Sequence, residues 1–246
     1  MSEASALARR AAAHVFVDDL DSLELGADDQ HHLARVLRLR PGEQVTAADG
    51  TGAVRSCIWA GGHLEAVDDP VVDPPSDPPL CVGFALTKAD KPEWAVQRLT
   101  ELGVDRIVPF VAERSVVRWD PDKAARNVER LRKVAREAAV QSRRSRVPEV
   151  ADIAAFAQVV AVVDPHSLAL AEPGGGPIGA RHTCVLVGPE GGWSPAEMEA
   201  VRSHVSLGDT VLRAETAAVA AGALLTAVRA EIVFLNAKSG LSADTL

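Results

Sequence analysis

The chain has 246 residues, 47% of them hydrophobic and 24% charged, which is typical of a globular protein with one large or two smaller domains. Its formal net charge of −8 argues against a nucleic-acid-binding protein that is basic throughout. The 3 cysteines are far apart and lack CxxC spacing, so they indicate neither a disulfide framework nor a zinc site and fit a cytoplasmic location. No stretch reads as a secretory signal or as a membrane span.

The amino-terminal part of the chain predicts a small unit built mainly of strands. Short strands are expected at 14–17, 23–25, 43–48, 54–59 and 63–67, with a helix at 28–37. Turns rich in glycine and aspartate separate several of these strands. Short strands joined in this way predict a small β-barrel, which serves equally well as a structural module or as an RNA-binding module.

A proline-rich segment, PVVDPPSDPP at 70–79, predicts a stiff connection and a domain boundary. We therefore expect one domain at 1–73 and a second at 74–246. The second domain begins with alternating elements, namely strands at 80–87, 106–111 and 159–163 and helices at 91–102 and 120–140. This alternation predicts an α/β fold with a mainly parallel sheet.

The last quarter of the chain contains two successive strand–loop–helix units. In the first, the apolar run 184–187 is followed by the loop GPEGG at 188–192 and by Ser194-Pro195, which should start a helix reaching about His204. In the second, a strand at 205–207 turns at Gly208 and leads to a helix from about Ala217 to Phe234. The two loops should lie at the carboxyl ends of strands, where open α/β sheets bind small ligands.

These two loops carry a family resemblance. GPEGG with its serine-capped helix, followed by LGDTVLRAETA at 207–217, resembles the carboxyl-terminal motifs of the SPOUT (trefoil-knot) RNA methyltransferases. The most similar family within them methylates N3 of a uridine in 16S ribosomal RNA. The segments 88–110 and 137–150 also resemble that family, and 31–52 resembles its PUA-like amino-terminal domain.

The resemblance implies a knot at about 184–234, S-adenosylmethionine as cofactor, 16S ribosomal RNA or the small ribosomal subunit as partner, and a homodimer. Glycines in the two loops let backbone groups approach a ligand closely. The expected cofactor-binding residues are Leu186, Gly188, Pro189, Glu190, Gly191, Leu207, Gly208, Val211, Leu212 and Arg213.

The chemistry of uridine N3 restricts the catalytic candidates. This imide nitrogen becomes a good nucleophile only when its proton is removed, so the site needs a proton acceptor and a group that stabilises the uracil anion, with no metal. Arg213 suits the anion, and Glu190 or Glu215 suits the proton, although the sequence does not rank the two carboxylates. Asp164 and His166, which follow the strand expected at 159–163, are secondary candidates.

RNA contacts are expected from two groups of arginines. Residues 126–146 contain eight Lys or Arg against Glu129 and Glu137, so this segment is locally basic in an acidic chain. The predicted RNA-binding residues are Arg35, Arg38, Arg40, Arg136, Arg143 and Arg144. A solvated surface remains the alternative for both groups.

Other patterns leave alternatives open or indicate no site. Gly174 to Gly179 matches the letters of the dinucleotide motif GxGxxG but lacks its strand and helix, so a surface loop is expected there. The alanines of the helix from Ala217 could face a second subunit, or they could pack within the subunit's own sheet. The chain could also modify transfer RNA or a ribose oxygen, or bind RNA without catalysis.

Overall fold

The computed structural model describes residues 2–233 and contains two β-sheets with helices packed around them. The helices are α1 (Glu3–Arg10), α2 (Ala27–His31, continued by a π-helical turn at His32–Val36), α3 (Lys91–Leu102), α4 (Pro121–Gln141), α5 (Phe156–Val162), α6 (Pro195–Ala200) and α7 (Ala214–Arg229). The strands of the first sheet are β1 (Ala13–Phe16), β2 (Gln44–Ala48), β3 (Ala53–Trp59), β4 (Leu64–Ala66) and β5 (Val71–Val72). The strands of the second sheet are β6 (Cys81–Ala85), β7 (Arg106–Val111), β8 (Glu149–Val150), β9 (Ala154–Ala155), β10 (Leu168–Gly176), β11 (Cys184–Val187) and β12 (His204–Val205).

The first sheet has the order β1-β2-β3-β4, with β5 also paired to β3. Only β1 and β2 run parallel, and the other pairs are antiparallel. The expected strand at 23–25 is absent, because Leu23 has a left-handed φ of 53° and turns the chain there. The remaining expected strands of this region and its helix are confirmed.

The second sheet is parallel throughout its described strands, in the order β12-β10-β11-β6-β7-β8, with β9 added beside β7. Apolar residues on one face pack against α3, α4 and α7, and those on the other face pack against α5 and Trp193. Burial on both faces explains why these strands read as continuous apolar runs. The predicted α/β class is confirmed, whereas the domain limits and the knot limits stay predictions.

Two expectations in the second half of the chain are wrong. Residues 156–162 form α5 rather than a strand, because Phe156 and Val159, three residues apart, share one buried helix face. A surface loop is expected at 174–179, but its residues 174–176 are part of β10. A Cβ on Gly175 would lie 2.7 Å from the backbone of Val205, so glycine lets β10 and β12 approach each other.

The start of α6 follows its local sequence signal, whereas the end of α6 and the start of α7 differ from those expected. Ser194 and Glu197 form a capping box at the start of α6, with the Glu197 N–H donating to Ser194 Oγ at 3.3 Å and the Ser194 N–H donating to Glu197 Oε2 at 2.9 Å. The helix ends at Ala200, earlier than expected, since β12 begins at His204. Helix α7 starts at Ala214, earlier than expected, and the predicted end at Phe234 lies outside the described residues.

Candidate functional site

A cavity of about 410 Å³ lies at the carboxyl ends of β10 and β11 and beside the segment that follows β12. Three stretches of chain form its walls: the end of β10, the loop after β11 and the loop that leads into α7. The lining residues are Ala171, Glu172, Pro173, Val187, Gly188, Pro189, Glu190, Gly192, Trp193, Ser206, Leu207, Gly208, Thr210, Val211, Leu212, Arg213, Ala214 and Ala217. The two glycine-bearing loops therefore meet around one cavity, as expected for the carboxyl edge of an open parallel sheet.

The lining contains most of the expected cofactor-binding residues, except Leu186 and Gly191. Leu186 is fully buried inside β11. Gly191 faces the neighbouring loop, where its Cβ would lie 3.3 Å from Arg114 Cβ. The sequence reading missed the wall formed by residues 171–173 and by Trp193. The sequence indicates no strand at 171–173, but these residues belong to β10, which pairs with β11 and β12.

Trp193 fixes the shape of the loop after β11. Its indole Nε1 donates a hydrogen bond to the Ala171 carbonyl at 3.0 Å, and its ring is stacked on Phe110 with centroids 6.0 Å apart. A Cβ on Gly188 would lie 2.9 Å from the Trp193 ring. The first glycine of GPEGG is therefore needed so that the loop can fold over the indole.

The walls offer the groups that an adenosyl ligand requires. Among the described residues, no hydrogen bond to protein is found for the backbone N–H groups of Leu207, Val211 and Leu212, which leaves them available to a ligand. Helix α7 begins beside them at Ala214, and its N-cap residue Arg213 makes no side-chain capping hydrogen bond. Apolar side chains of Val187 and Leu207 line the same space. Free backbone donors beside apolar surface fit a purine ring and a sulfonium side chain.

Of the charged candidates, Glu190 and Arg213 line this cavity, and Glu215 follows the lining residue Ala214. Lys91 Nζ is 3.3 Å from Glu215 Oε1 and 3.5 Å from Glu190 Oε1, so one ammonium group bridges both carboxylates. The Glu215 side chain is 13% exposed and that of Glu190 is 51% exposed. Glu215 Oε2 is buried and has no hydrogen-bond partner among the described residues. Arg213 is exposed and makes no ion pair within the described part of the chain.

Lys91 was not anticipated as a site residue. It stands at the first position of α3, 99 residues before Glu190, and no local motif signals the contact. The secondary candidates Asp164 and His166 are excluded. Because 156–162 is a helix, they precede β10 and lie at its amino end, where Asp164 Oδ1 accepts a hydrogen bond from the His166 N–H at 3.0 Å.

The expected RNA-binding arginines fall into two groups. Arg35, Arg38 and Arg40 are exposed on and after the π-helical turn. Arg143 and Arg144 instead bind backbone carbonyls within the protein.

Arg143 donates hydrogen bonds to the carbonyls of Ala8, Ala11 and Ala12, at and just after the end of α1. Arg144 Nη1 donates to the carbonyls of Thr100 and Val104 at 2.9 Å each. Because their donors are used inside the fold, we withdraw Arg143 and Arg144 as RNA contacts.

Arg136 is an intermediate case. Its guanidinium lies over the Phe16 ring, 5.0 Å from the centroid, and donates to the Phe16 carbonyl at 3.2 Å, although much of the side chain is exposed. Arg136 and Arg143 therefore join α4 and the segment after it to the first sheet and to α1, whereas the side chain of Arg144 binds the end of α3.

No cluster of side chains able to hold a metal ion occurs within residues 2–233. Over the same residues, no helix has the length and apolar character needed to cross a bilayer.

The fold and the cavity define an α/β protein that binds a cofactor-sized ligand at the carboxyl edge of a parallel sheet. A family profile described as the RNA methyltransferase domain matches residues 74–226, and a second, the RNA methyltransferase PUA domain, matches residues 25–58. The chain belongs to this RNA methyltransferase family, which confirms the family predicted from the two loop motifs.

Known proteins agree with this assignment. The chain is 35% identical over 220 residues to ribosomal RNA small subunit methyltransferase E of Mycobacterium bovis, covering 80% of this chain and 83% of the relative. It is 32% identical to the protein of the same name from Bacillus subtilis, covering 82% of this chain and 88% of the relative. A solved structure of ribosomal RNA small subunit methyltransferase E from Neisseria gonorrhoeae, bound to S-adenosyl methionine, is 26% identical with a TM-score of 0.69 and covers 86% of this chain and 95% of that one.

Proposed function

We propose that this protein methylates N3 of a uridine in 16S ribosomal RNA of the small subunit, with S-adenosylmethionine as methyl donor. The observation that carries the proposal is the cavity at the carboxyl edge of the second sheet, which Arg213 and Glu190 line and where Lys91 joins Glu190 to Glu215. The names of the relatives support ribosomal RNA as the substrate class. Such a substrate places the reaction in the cytoplasm.

The backbone donors at 207–212 and the apolar walls would hold the adenosyl part of the cofactor. The bound cofactor supplies a methyl group that its sulfonium already activates. The protein must then position the uracil ring and take up the N3 proton. Arg213, exposed and unpaired within the described residues, is suited to donate hydrogen bonds to a uracil oxygen and to stabilise the negative charge that develops there.

Glu215 is the better of the two candidate proton acceptors. A buried carboxylate oxygen without a partner is costly, and Glu215 Oε2 is in that state, so we infer that the uracil N3–H donates to it. Lys91 holds the other oxygen of the same carboxylate and acts as a positioning residue. Glu190 is more exposed and contacts the same ammonium group, so we assign it a role in orienting Lys91.

RNA is proposed to bind along the π-helical turn, where Arg35, Arg38 and Arg40 are exposed beside Val36 and Leu37, which are 60% and 45% exposed. Basic groups beside exposed apolar side chains suit a partly single-stranded RNA. This surface lies in the region that matches the PUA profile.

We retain the homodimer as a proposal on a narrower basis. Ala217, Ala218, Ala221 and Gly222 are buried within the subunit's own core, where a Cβ on Gly222 would lie 2.6 Å from Leu99. These small residues therefore serve the packing of α7 on α3. Ala220 and Ala223 of the same stretch are half-buried and remain available to a second subunit. Sedimentation of wild type and Ala220→Glu at micromolar concentration tests this, and a monomeric wild type would refute the dimer.

The function is tested by two linked measurements. Calorimetry should show that S-adenosylmethionine binds wild type and that Leu212→Ala weakens binding about tenfold, because apolar contact with the ligand is lost. Val162→Ala, an exposed valine on α5, is the matched control and should bind normally.

Mass spectrometry of nucleosides from 16S ribosomal RNA should then show N3-methyluridine lost in a deletion strain and restored by wild type. Glu215→Gln should bind cofactor normally but restore little methylation. A methyl group missing from transfer RNA or from a ribose oxygen instead would overturn the proposed substrate. Absence of cofactor binding by the wild type would favour a noncatalytic RNA-binding factor.

A further inference from the structure

A second cavity lies at the carboxyl edge of the same sheet, beside the cofactor cavity. It has a volume of about 320 Å³ and is enclosed by the segment after β6, the loop after β7 and the first half of α4. Its lining residues are Thr87, Lys88, Ala89, Pro92, Glu93, Val117, Trp119, Lys123, Asn127, Arg130 and Leu131. The proposed catalytic residues are not among them.

The lining combines basic side chains with an aromatic ring. Arg130 Nη2 is 2.9 Å from Glu93 Oε2, so these two charges largely cancel. Lys88 and Lys123 are exposed and make no ion pair within the described residues, which leaves two free positive charges on a chain with a net charge of −8. Trp119 is half-buried at the same cavity. Free ammonium groups next to an indole are the groups that bind the phosphate and the base of a single-stranded nucleotide.

A neighbouring cavity on the other side of Glu93 shows that this composition is local. That cavity also contains a tryptophan, Trp94, but Asp90, Glu93 and Glu137 line it with carboxylates. It would repel phosphate, and the guanidinium of Arg98 already lies over the Trp94 ring, 5.9 Å from its centroid. Evenly distributed surface charge does not explain why lysines line the cavity that contains Trp119 and not the cavity that contains Trp94.

The basic cavity is joined to the proposed active site by direct contacts. Lys91, two residues before the lining residue Glu93, bridges Glu215 and Glu190, and Glu190 lines the cofactor cavity. Arg114, on the loop that also carries Trp119, donates a hydrogen bond to the Gly191 carbonyl at 3.3 Å. A chain of nucleotides that places one base at Arg213 and Glu215 therefore meets this cavity next along the same edge.

We propose that the cavity lined by Lys88, Trp119 and Lys123 is a subsite for a nucleotide that flanks the methylated uridine in the RNA. The two lysines bind its phosphate and Trp119 contacts its base. This inference rests on the proposed function, since it assumes an RNA substrate at the neighbouring mouth. The same chemistry would recognise a free nucleotide, and the experiment separates the two sources.

The probe is a fluorescein-labelled single-stranded oligouridylate of about ten nucleotides, a length within the site sizes of single-strand binders. Its dissociation constant is measured by anisotropy over a range of salt concentrations for wild type, the double variant Lys88→Ala/Lys123→Ala and Trp119→Leu. Lys133→Ala is the matched control, because Lys133 lies on the same helix as Lys123, is 75% exposed and does not line the cavity. Unlabelled uridine monophosphate is titrated against the labelled oligomer in a parallel series.

The double variant is expected to bind the oligomer about tenfold more weakly and to lower the salt slope by roughly 0.7, the release expected for one phosphate contact on a single strand. Trp119→Leu should weaken binding about tenfold with an unchanged salt slope. Lys133→Ala should bind as wild type does, and all four proteins should bind S-adenosylmethionine equally.

If Lys133→Ala loses as much affinity for the oligomer as the double variant does, or if the double variant loses none, the subsite is overturned. Binding would then reflect non-specific electrostatic attraction to the protein surface. Competition by micromolar uridine monophosphate would overturn it in favour of a free-nucleotide site. Because oligomer binding requires no methyl transfer, a protein that binds the oligomer as described but leaves 16S ribosomal RNA unmodified would refute the proposed function and not the subsite.

Discussion

Two arginine-rich stretches look alike in the sequence and do different things in the structure. We call residues 35–40 the exposed arginine segment and residues 136–146 the internal arginine segment. The three arginines of the exposed segment point into solvent. In the internal segment, Arg143 and Arg144 donate to five backbone carbonyls between them. The number of arginines is thus a poor guide to RNA binding, and the nearby acceptors decide their role.

The carbonyl groups that accept hydrogen bonds from the arginines of the internal arginine segment lie at or just after helix ends. The last carbonyls of an α-helix lack intrahelical hydrogen-bond donors, so a buried helix end needs donors from elsewhere in the protein. Arg143 reaches the end of α1, and Arg144 reaches the end of α3, where Arg229 also donates to the Gly103 carbonyl at 2.9 Å. Asp105 lies between Arg144 and Arg229 and pairs with both. The segment thus fastens three parts of the chain that are distant in sequence.

Among the arginines of the two segments, replacement of Arg144 should have the largest effect on the free energy of unfolding. Its side chain is only 15% exposed, and burial lowers the pKa of the guanidinium to about 10, which still leaves it charged at neutral pH. Replacing it by alanine leaves the Val104 carbonyl without a donor among the described residues, removes one of two donors from the Thr100 carbonyl and leaves Asp105 paired with Arg229 alone. Arg144→Ala should therefore lower the free energy of unfolding by about 3 kcal/mol. Urea titration followed by circular dichroism measures this, and Arg35→Ala, with a change below about 0.5 kcal/mol, is the control.

A stability change near zero in Arg144→Ala, together with weaker RNA binding, would return this residue to the RNA-binding group.

The second prediction concerns His14, which the same interface buries. Its ring contacts Thr46 Oγ1 at 2.9 Å and the Arg144 carbonyl at 3.0 Å, and burial lowers its pKa to about 4. A histidine with a lowered folded-state pKa stabilises the protein above about pH 6.5, and this contribution is lost as the pH falls from 6.5 towards 4. The full loss is about 3 kcal/mol.

Unfolding of wild type and His14→Gln should therefore be compared at pH 7 and pH 5. The wild type should lose about 2 kcal/mol more than the variant over this interval. Subtracting the change measured for the variant removes the contribution of carboxylates that titrate in both proteins. Parallel behaviour of the two proteins would show that His14 accepts a proton freely and that the interface opens below neutral pH.

The difference between the arginine segments also marks what sequence can reveal. Patterns confined to a few residues were sufficient for the capping box at Ser194, the parallel strands and the two loops of the cofactor cavity, because neighbours in sequence create those features. The partners of Arg144 and Lys91 are not neighbours in sequence, since Lys91 meets Glu190 99 residues later. The helix at 156–162 was misread because a short apolar run fits a strand or a buried helix equally well.

The third prediction concerns Arg38 in the exposed arginine segment. Arg38→Ala should weaken binding of single-stranded RNA about fivefold and lower the salt slope by roughly 0.7, the value for one lost phosphate contact. Stability should change little because the side chain is exposed. Arg143→Ala is the matched arginine from the internal segment and should show the reverse, with lower stability and the wild-type salt slope. Anisotropy at several salt concentrations and thermal unfolding give both readouts, and equal salt slopes for the two variants would contradict the division.

The smallest effect is expected at Arg136, the residue that fits the division between exposed and internal arginines least clearly. Its guanidinium stacks on Phe16 and bonds to the Phe16 carbonyl, yet its side chain is largely open to solvent. Lysine keeps the charge but loses the planar contact, so Arg136→Lys should lower the free energy of unfolding by about 0.5–1 kcal/mol. Arg136→Ala should cost slightly more and leave the salt slope of RNA binding unchanged. If the alanine variant lowers that slope while the lysine variant preserves it, Arg136 contacts phosphate as well, and the internal segment then shares one residue with the RNA surface.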